Sequence, residues 1–250
     1  VKLVWMVILG SAWPTILLSV AHWLLSVAQP LPTWFRLRPH VPEQLDVSSL
    51  ERHDPPEHLR TGAVVIVVPG GGYIWHSDSN GLTFQPTAAW LNGLGIIAYI
   101  LTYRIVPEGH IWPAQLQDFE LAMHIVRQAH HNSSNGRVGA IGYSAGGHLV
   151  SMAATRGSAS WRPDLQILIA PTISTIGWGI EGYWPPPADS SHLQVDASAP
   201  AAFIACSSED DEMTDDDHCA PYAAALSRKN VPFLHLVQPM GPHGFQLHKL

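Results

Sequence analysis

The chain has 250 residues, 46% of them hydrophobic and only 13% charged, which suits one sizeable packed domain and excludes a disordered chain. A formal net charge of −7 and a pI near 6.1 argue against a nucleic-acid partner, which would want a basic face. Two cysteines, Cys206 and Cys219, are too few for a disulfide scaffold. They are either free thiols in a packed interior or one local bridge.

Lys2 is followed by an almost wholly apolar run over residues 3–27, then by Ala28-Gln29-Pro30. Small residues at Ser26 and Ala28 fit a secretory signal over residues 1–28, cleaved after Ala28, which predicts a secreted or periplasmic protein. The run is long for a signal and is interrupted by Pro14 and His22. An uncleaved membrane anchor and a packed N-terminal helix are therefore the alternatives. Residues 29–61 are proline-rich and read as an extended lead-in to a catalytic domain over 62–250, with a short edge strand near 45–47.

Ala63-Val64-Val65-Ile66-Val67-Val68 is a continuous, mostly β-branched run, the pattern of a strand buried on both faces. It ends in Pro69-Gly70-Gly71-Gly72-Tyr73, a turn whose glycines let backbone N–H groups face an anion. A helix over 84–91, a strand over 95–103 and a loop over 104–112 follow. Pro113 opens a helix to about 130, since a missing N–H costs nothing in a first helical turn. Residues 137–141 form a strand, and 148–155 a helix behind it. Residues 165–169 are another strand, and 171–200 lack any period and read as a long loop or small cap. A strand over 201–207, a helix over 218–229 and a last strand over 233–237 complete the chain. Strands alternating with helices predict an α/β fold with a mostly parallel sheet and helices on both faces.

Between the strand ending at 141 and its helix lies Gly142-Tyr143-Ser144-Ala145-Gly146, a G-x-S-x-G pentapeptide. In that setting it reads as a nucleophile elbow, a turn too tight for side chains two residues either side of the serine. A serine hydroxyl needs a base to take its proton, usually histidine, and a carboxylate to orient the imidazole. His243, in the Gly/Pro loop after the last strand, is the candidate base; His235 sits within a strand and His248 lies beyond the loop. Seven carboxylates between Glu209 and Asp217 compete for the third role. Asp215 to Asp217 fit the first turn of the next helix, where negative charge favours the dipole. Asp210, three residues past the strand end, is preferred to Asp211. The Ala145 N–H, with Gly71 and Gly72, would form the oxyanion hole. No P-loop, dinucleotide-binding or EF-hand spacing is present, and neither a cofactor nor a metal is expected.

The stretches Val67 through Tyr73, Leu91 through Ile96, Leu101 through Arg104, Pro113 through Asp118 and Gly142 through Leu149 resemble a bacterial group of α/β-hydrolases. That group is similar to acetyl xylan esterases and esterase/lipase-like carbohydrate esterases, and the likeness spans about residues 60–248. It implies an α/β-hydrolase fold, with Ser144 as nucleophile, Asp210 as acid, His243 as base, and Gly71, Gly72 and Ala145 around the oxyanion. It implies a serine carboxylesterase acting on acetyl or other short acyl esters, of small molecules or carbohydrates. Tyr73, Trp75, Trp178, Tyr183 and Trp184 are the candidate aromatic faces for a sugar, or else loop residues packing on the core. Two features depart from the group: a short segment over 130–136, and seven residues after His243 where members add a closing helix. A peptidase of the prolyl-oligopeptidase type and a non-catalytic binding protein are the rival expectations. Membrane association is expected only through residues 1–28.

Overall fold

A computed structural model describes residues 33–40, 48–76, 84–132, 137–176 and 184–243. Its strands are β1 (Thr33–Arg36), β2 (Ser49–His53), β3 (Val64–Val68), β4 (Ile97–Thr102), β5 (Gly139–Tyr143), β6 (Leu165–Ile169), β7 (Ala202–Ser207) and β8 (Phe233–Gln238). The helices are α1 (Phe84–Gly93), α2 (Ala114–Ala129), α3 (Ala145–Arg156) and α4 (Ala220–Arg228), the last preceded by a π-helical turn, Asp215–Cys219.

The apolar run of β3 decides the layering. Successive side chains of a strand point to opposite faces. Val64, Ile66 and Val68 accordingly enter one core with Phe119 and Met123 of α2, Leu149 and Ala153 of α3, and Tyr222 and Leu226 of α4. Val65 and Val67 enter the other with Phe84, Ala88 and Leu91 of α1. Each such valine, buried rather than exposed, contributes about 1.5–3 kcal/mol. The helices thus cover both faces, as the alternation of strands and helices implied.

One eight-stranded sheet runs in the order β1-β2-β4-β3-β5-β6-β7-β8. From β4 through β8 every neighbouring pair is parallel, whereas β2 runs antiparallel to both β1 and β4. Helices α1, α2, α3 and α4 each connect two of these parallel strands, and the carboxyl ends of β3, β5, β6, β7 and β8 lie along one edge, where α/β folds place their sites.

The sheet starts earlier than the proline content suggests. β1 and β2 lie within the stretch read as a lead-in and extend the same sheet, because ladder bonds to β4 satisfy backbone groups that a free segment would leave to water. The expected edge strand near 45–47 lies outside the described residues, as do residues 1–28. Among the described residues no helix is long and apolar enough to cross a membrane.

Cys206, on β7, and Cys219, at the end of the π-helical turn, form a disulfide with Cα atoms 6.7 Å apart and a sequence separation of 13. Of the two readings left open, the local bridge is the one found. A loop of this length is stabilised by about 3 kcal/mol through the entropy its closure removes from the unfolded chain. Replacing both cysteines with alanine is expected to lower the unfolding free energy by about that amount, measured by urea titration.

Candidate active site

The turn between β5 and α3 is held at a backbone conformation that few residues adopt. Ser144 has φ 51° and ψ −120°, and the first helical residue follows it directly. The neighbouring glycines are required by close approach. A Cβ on Gly142 would lie 2.3 Å from the Gly146 carbonyl oxygen, and one on Gly146 would lie 2.3 Å from the carbonyls of Val68 and Pro69. Gly147 packs on Pro171, whose Cβ would be 2.6 Å away. The Ser144 N–H donates to Ile169 O (3.2 Å), and its carbonyl accepts from Thr172 N (3.0 Å) and His148 N (3.1 Å). Strain of this kind survives only where the surroundings overdetermine it, and here three segments do so.

Ser144 Oγ lies 3.0 Å from Nε2 of His243, and Nδ1 of His243 lies 2.8 Å from Oδ2 of Asp210. Asp210 is fully buried at its side chain, while that of His243 remains 16% exposed. Burial alone would raise the Asp210 carboxyl. The bond to His243 and the N–H groups of Met213 (2.8 Å) and Glu212 (3.0 Å) outweigh it and hold the group below the usual carboxylate range. Asp211 next to it is exposed. His235 faces Asp215 at 2.7 Å instead of the serine, and Asp215 to Asp217 occupy the π-helical turn capped by Thr214. His248 lies outside the described residues.

The loops carrying Asp210 and His243 leave adjacent parallel strands in register, Ser207 opposite Gln238. Ser207 ties them together. Its buried hydroxyl donates to Gly241 O (2.6 Å) and accepts from Glu209 N (3.2 Å) and Met240 N (3.1 Å). Thr172 Oγ1 bonds the sulfur of Met213 at 3.2 Å, joining the segment after β6 to the same acidic loop.

Ala145 opens α3, so its N–H belongs to the first turn, where helices leave donors without an intrahelical acceptor. Gly71 (φ +111°) and Gly72 (φ +62°) form the turn after β3, with Gly71 O accepting from Ile74 N and Trp75 N. The aromatic candidates divide. Trp75 is 57% exposed, and Trp184 packs beside Gly72, its Cζ2 3.6 Å from where a Cβ would stand. Trp178 and Tyr183 lie outside the described residues. Tyr73 is not a surface for a sugar: it is 1% exposed, among the rings of Tyr103, Trp112, His148 and Trp184. Its hydroxyl is needed inside, 2.8 Å from Nδ1 of His148, and burial pushes its pKa well above the ordinary value.

His148 is a residue that chain order and spacing do not single out, although it directly follows the Gly146-Gly147 pair. Its Nε2 donates to Asp189 O (2.9 Å), so Nδ1 accepts from Tyr73. The Asp189 carboxylate pairs with Arg156 (2.5 Å) and accepts from Trp112 Nε1 (2.7 Å). This ties the helix behind Ser144 to the segment after β6. His218 does similar work nearer the acid. Its Nδ1 accepts from the N–H groups of Ile173 (3.0 Å) and Ser174 (3.2 Å).

The architecture gives this chain an α/β-hydrolase fold, and the comparisons make it similar to esterases of that fold. The BD-FAE family model matches residues 50–169. The chain is 29% identical over 202 residues to an acetylxylan esterase of Xylanibacter ruminicola, covering 74% of this chain and 41% of that one. It is 26% identical over 206 residues to endo-1,4-beta-xylanase B of Butyrivibrio fibrisolvens, covering 72% and 32%. It thus spans less than half the length of either relative. The solved acetyl ester-xyloside bifunctional hydrolase from Caldicellulosiruptor lactoaceticus superposes with a TM-score of 0.73 at 28% identity, covering 89% of this chain and 91% of that one.

Burial holds both His148 and His218 at a pKa of about 4, below the ordinary 6.5, so both are neutral in the folded chain near pH 7. As pH falls through 6.5 the unfolded chain takes up protons that the folded chain refuses. Stability is therefore full above that value and lost progressively toward pH 4. Thermal melts should show a melting temperature level above pH 6.5 and falling steeply between 6.5 and 4. A level profile down to pH 4 would contradict the burial of neutral imidazoles.

Proposed function

We propose that the protein is a serine carboxylesterase that removes acetyl or other short acyl groups from carbohydrate esters. The observation that carries this is the hydrogen-bonded line from Ser144 Oγ through His243 to Asp210, at 3.0 and 2.8 Å. In the proposed reaction His243 Nε2 takes the Ser144 proton as Oγ attacks the ester carbonyl. The ionised Asp210 accepts from Nδ1–H, which fixes the tautomer and favours the imidazolium. The N–H groups of Ala145 and of Gly71 or Gly72 would receive the oxyanion. His243 then protonates the departing alkoxide, and water, activated by the same ring, releases the acid from Ser144. The steps call on no cofactor.

The substrate class rests on the relatives, whose names describe esterases and hydrolases of xylan and acetyl esters. Trp75 and Trp184, on or beside the turn that carries Gly71 and Gly72, are the aromatic faces best placed to stack on a sugar. The Cys206–Cys219 bridge suits an oxidising compartment, which together with the apolar segment 1–28 supports a secreted or periplasmic location.

Ser144→Ala and Asp210→Asn are each expected to lower kcat/KM on p-nitrophenyl acetate by about 10⁴-fold, while Asp211→Asn leaves it unchanged. Near-parental turnover by Ser144→Ala would overturn the proposal. Acetylated xylan, acetylated monosaccharides and an aminoacyl amide, assayed in parallel, separate the esterase from a peptidase, for which the amide would be the better substrate.

A further inference from the structure

The disulfide lies within a set of four potential metal ligands. Sγ of Cys206, Sγ of Cys219, a carboxylate oxygen of Asp215 and a ring nitrogen of His235 all lie within 4.8 Å of one another. The residues come from three elements. Cys206 is on β7, His235 is on the neighbouring β8, and Asp215 and Cys219 bracket the π-helical turn between β7 and α4. That turn, a rare backbone form frequent at functional sites, begins at Asp215 and ends at Cys219, whose ligand atoms lie within 4.8 Å of each other. The sulfurs are buried, whereas the Asp215 and His235 side chains are 28% and 20% exposed, so an ion has an approach from solvent on their side. Two thiolates, an imidazole and a carboxylate make a tetrahedral set of the kind that zinc takes, with Zn–S near 2.3 Å and Zn–N and Zn–O near 2.0–2.2 Å (about 3.3–3.8 Å between ligand atoms).

We propose that Cys206, Cys219, Asp215 and His235 form a redox-gated zinc site, closed by the disulfide when oxidised and able to bind the ion when reduced. A dithiol supplies the two electrons and two protons that cleave the S–S bond, and is itself oxidised to its disulfide. The two thiols then lose their protons to solvent as both sulfurs bind zinc. His235 Nε2, now hydrogen-bonded to Asp215 Oδ1 at 2.7 Å, gives up its proton to solvent or to Nδ1 and becomes a ligand beside the carboxylate. Either cross-link joins the two ends of the segment that carries Asp210.

The test uses the whole chain, reduced with a dithiol and desalted without oxygen, with cobalt(II) as a spectroscopic stand-in for zinc. The reduced chain is expected to bind one cobalt with a thiolate-to-metal charge-transfer band and the intense visible bands of a tetrahedral ion, both abolished by zinc. The oxidised chain shows neither. His235→Ala, which leaves both cysteines in place, weakens binding by at least about 10-fold. Zinc raises the melting temperature of the reduced chain and leaves that of the oxidised chain unchanged. If reduction melts the chain, zinc restores its native circular dichroism. No thiolate band, the same band in the oxidised chain, or undiminished binding by His235→Ala overturns the proposal, as does a melted reduced chain that zinc fails to refold.

Discussion

At the turn between β5 and α3 the backbone passes so close to its neighbours that no side chain fits at Gly142, Gly146 or Gly147. Gly146 lies against the carbonyls of Val68 and Pro69, and Gly147 against Pro171. This contact locks the helix behind Ser144 to the ends of β3 and β6 at once. It also holds Ser144 at φ 51°, which lifts the hydroxyl off the sheet edge toward His243. A turn with freedom to relax would leave that conformation, since a non-glycine residue there costs about 1–3 kcal/mol.

The rest of the site is positioned by register. β7 and β8 run parallel with Ser207 opposite Gln238, so both loops emerge at the same edge as the turn at Ser144. The Ser207 hydroxyl then binds backbone groups from both loops, which makes the distance between Asp210 and His243 a property of the sheet. The disulfide secures the acidic loop from its other side, between Cys206 and Cys219. A carboxylate on a loop with so many attachments can stay ionised despite burial, because its partners are already in place.

Behind the site the protein uses neutral histidine as a structural connector. His148 and His218 each accept at Nδ1, and burial keeps both unprotonated. A charged ring could not accept those bonds. An apolar residue would leave the Tyr73 hydroxyl and the Ile173 N–H without partners in the interior, at about 1–3 kcal/mol for each group. Tyr73 is caught in this arrangement, which is why an aromatic beside a glycine turn is enclosed and turned away from solvent.

The order of strands and helices was legible in the chain because period and punctuation are local. The run at 63–68 reads as a strand buried on both faces, and Val64–Val68 is one; Leu165–Ile169 reads as a strand of the same extent in sequence and structure. Ser144, Asp210 and His243 were also legible as candidates, from one motif and from loop positions after late strands. The proline content hid β1 and β2; β2 pairs with β4 some fifty residues away, as Ser49 with Thr102, and β1 joins the sheet through β2. The enclosure of Tyr73, the connecting roles of Ser207, His148 and His218, and the pairing of Cys206 with Cys219 were decided only by tertiary structure. Each depends on which backbone or side-chain group arrives from a distant segment, and residue types along one chain carry no record of that meeting.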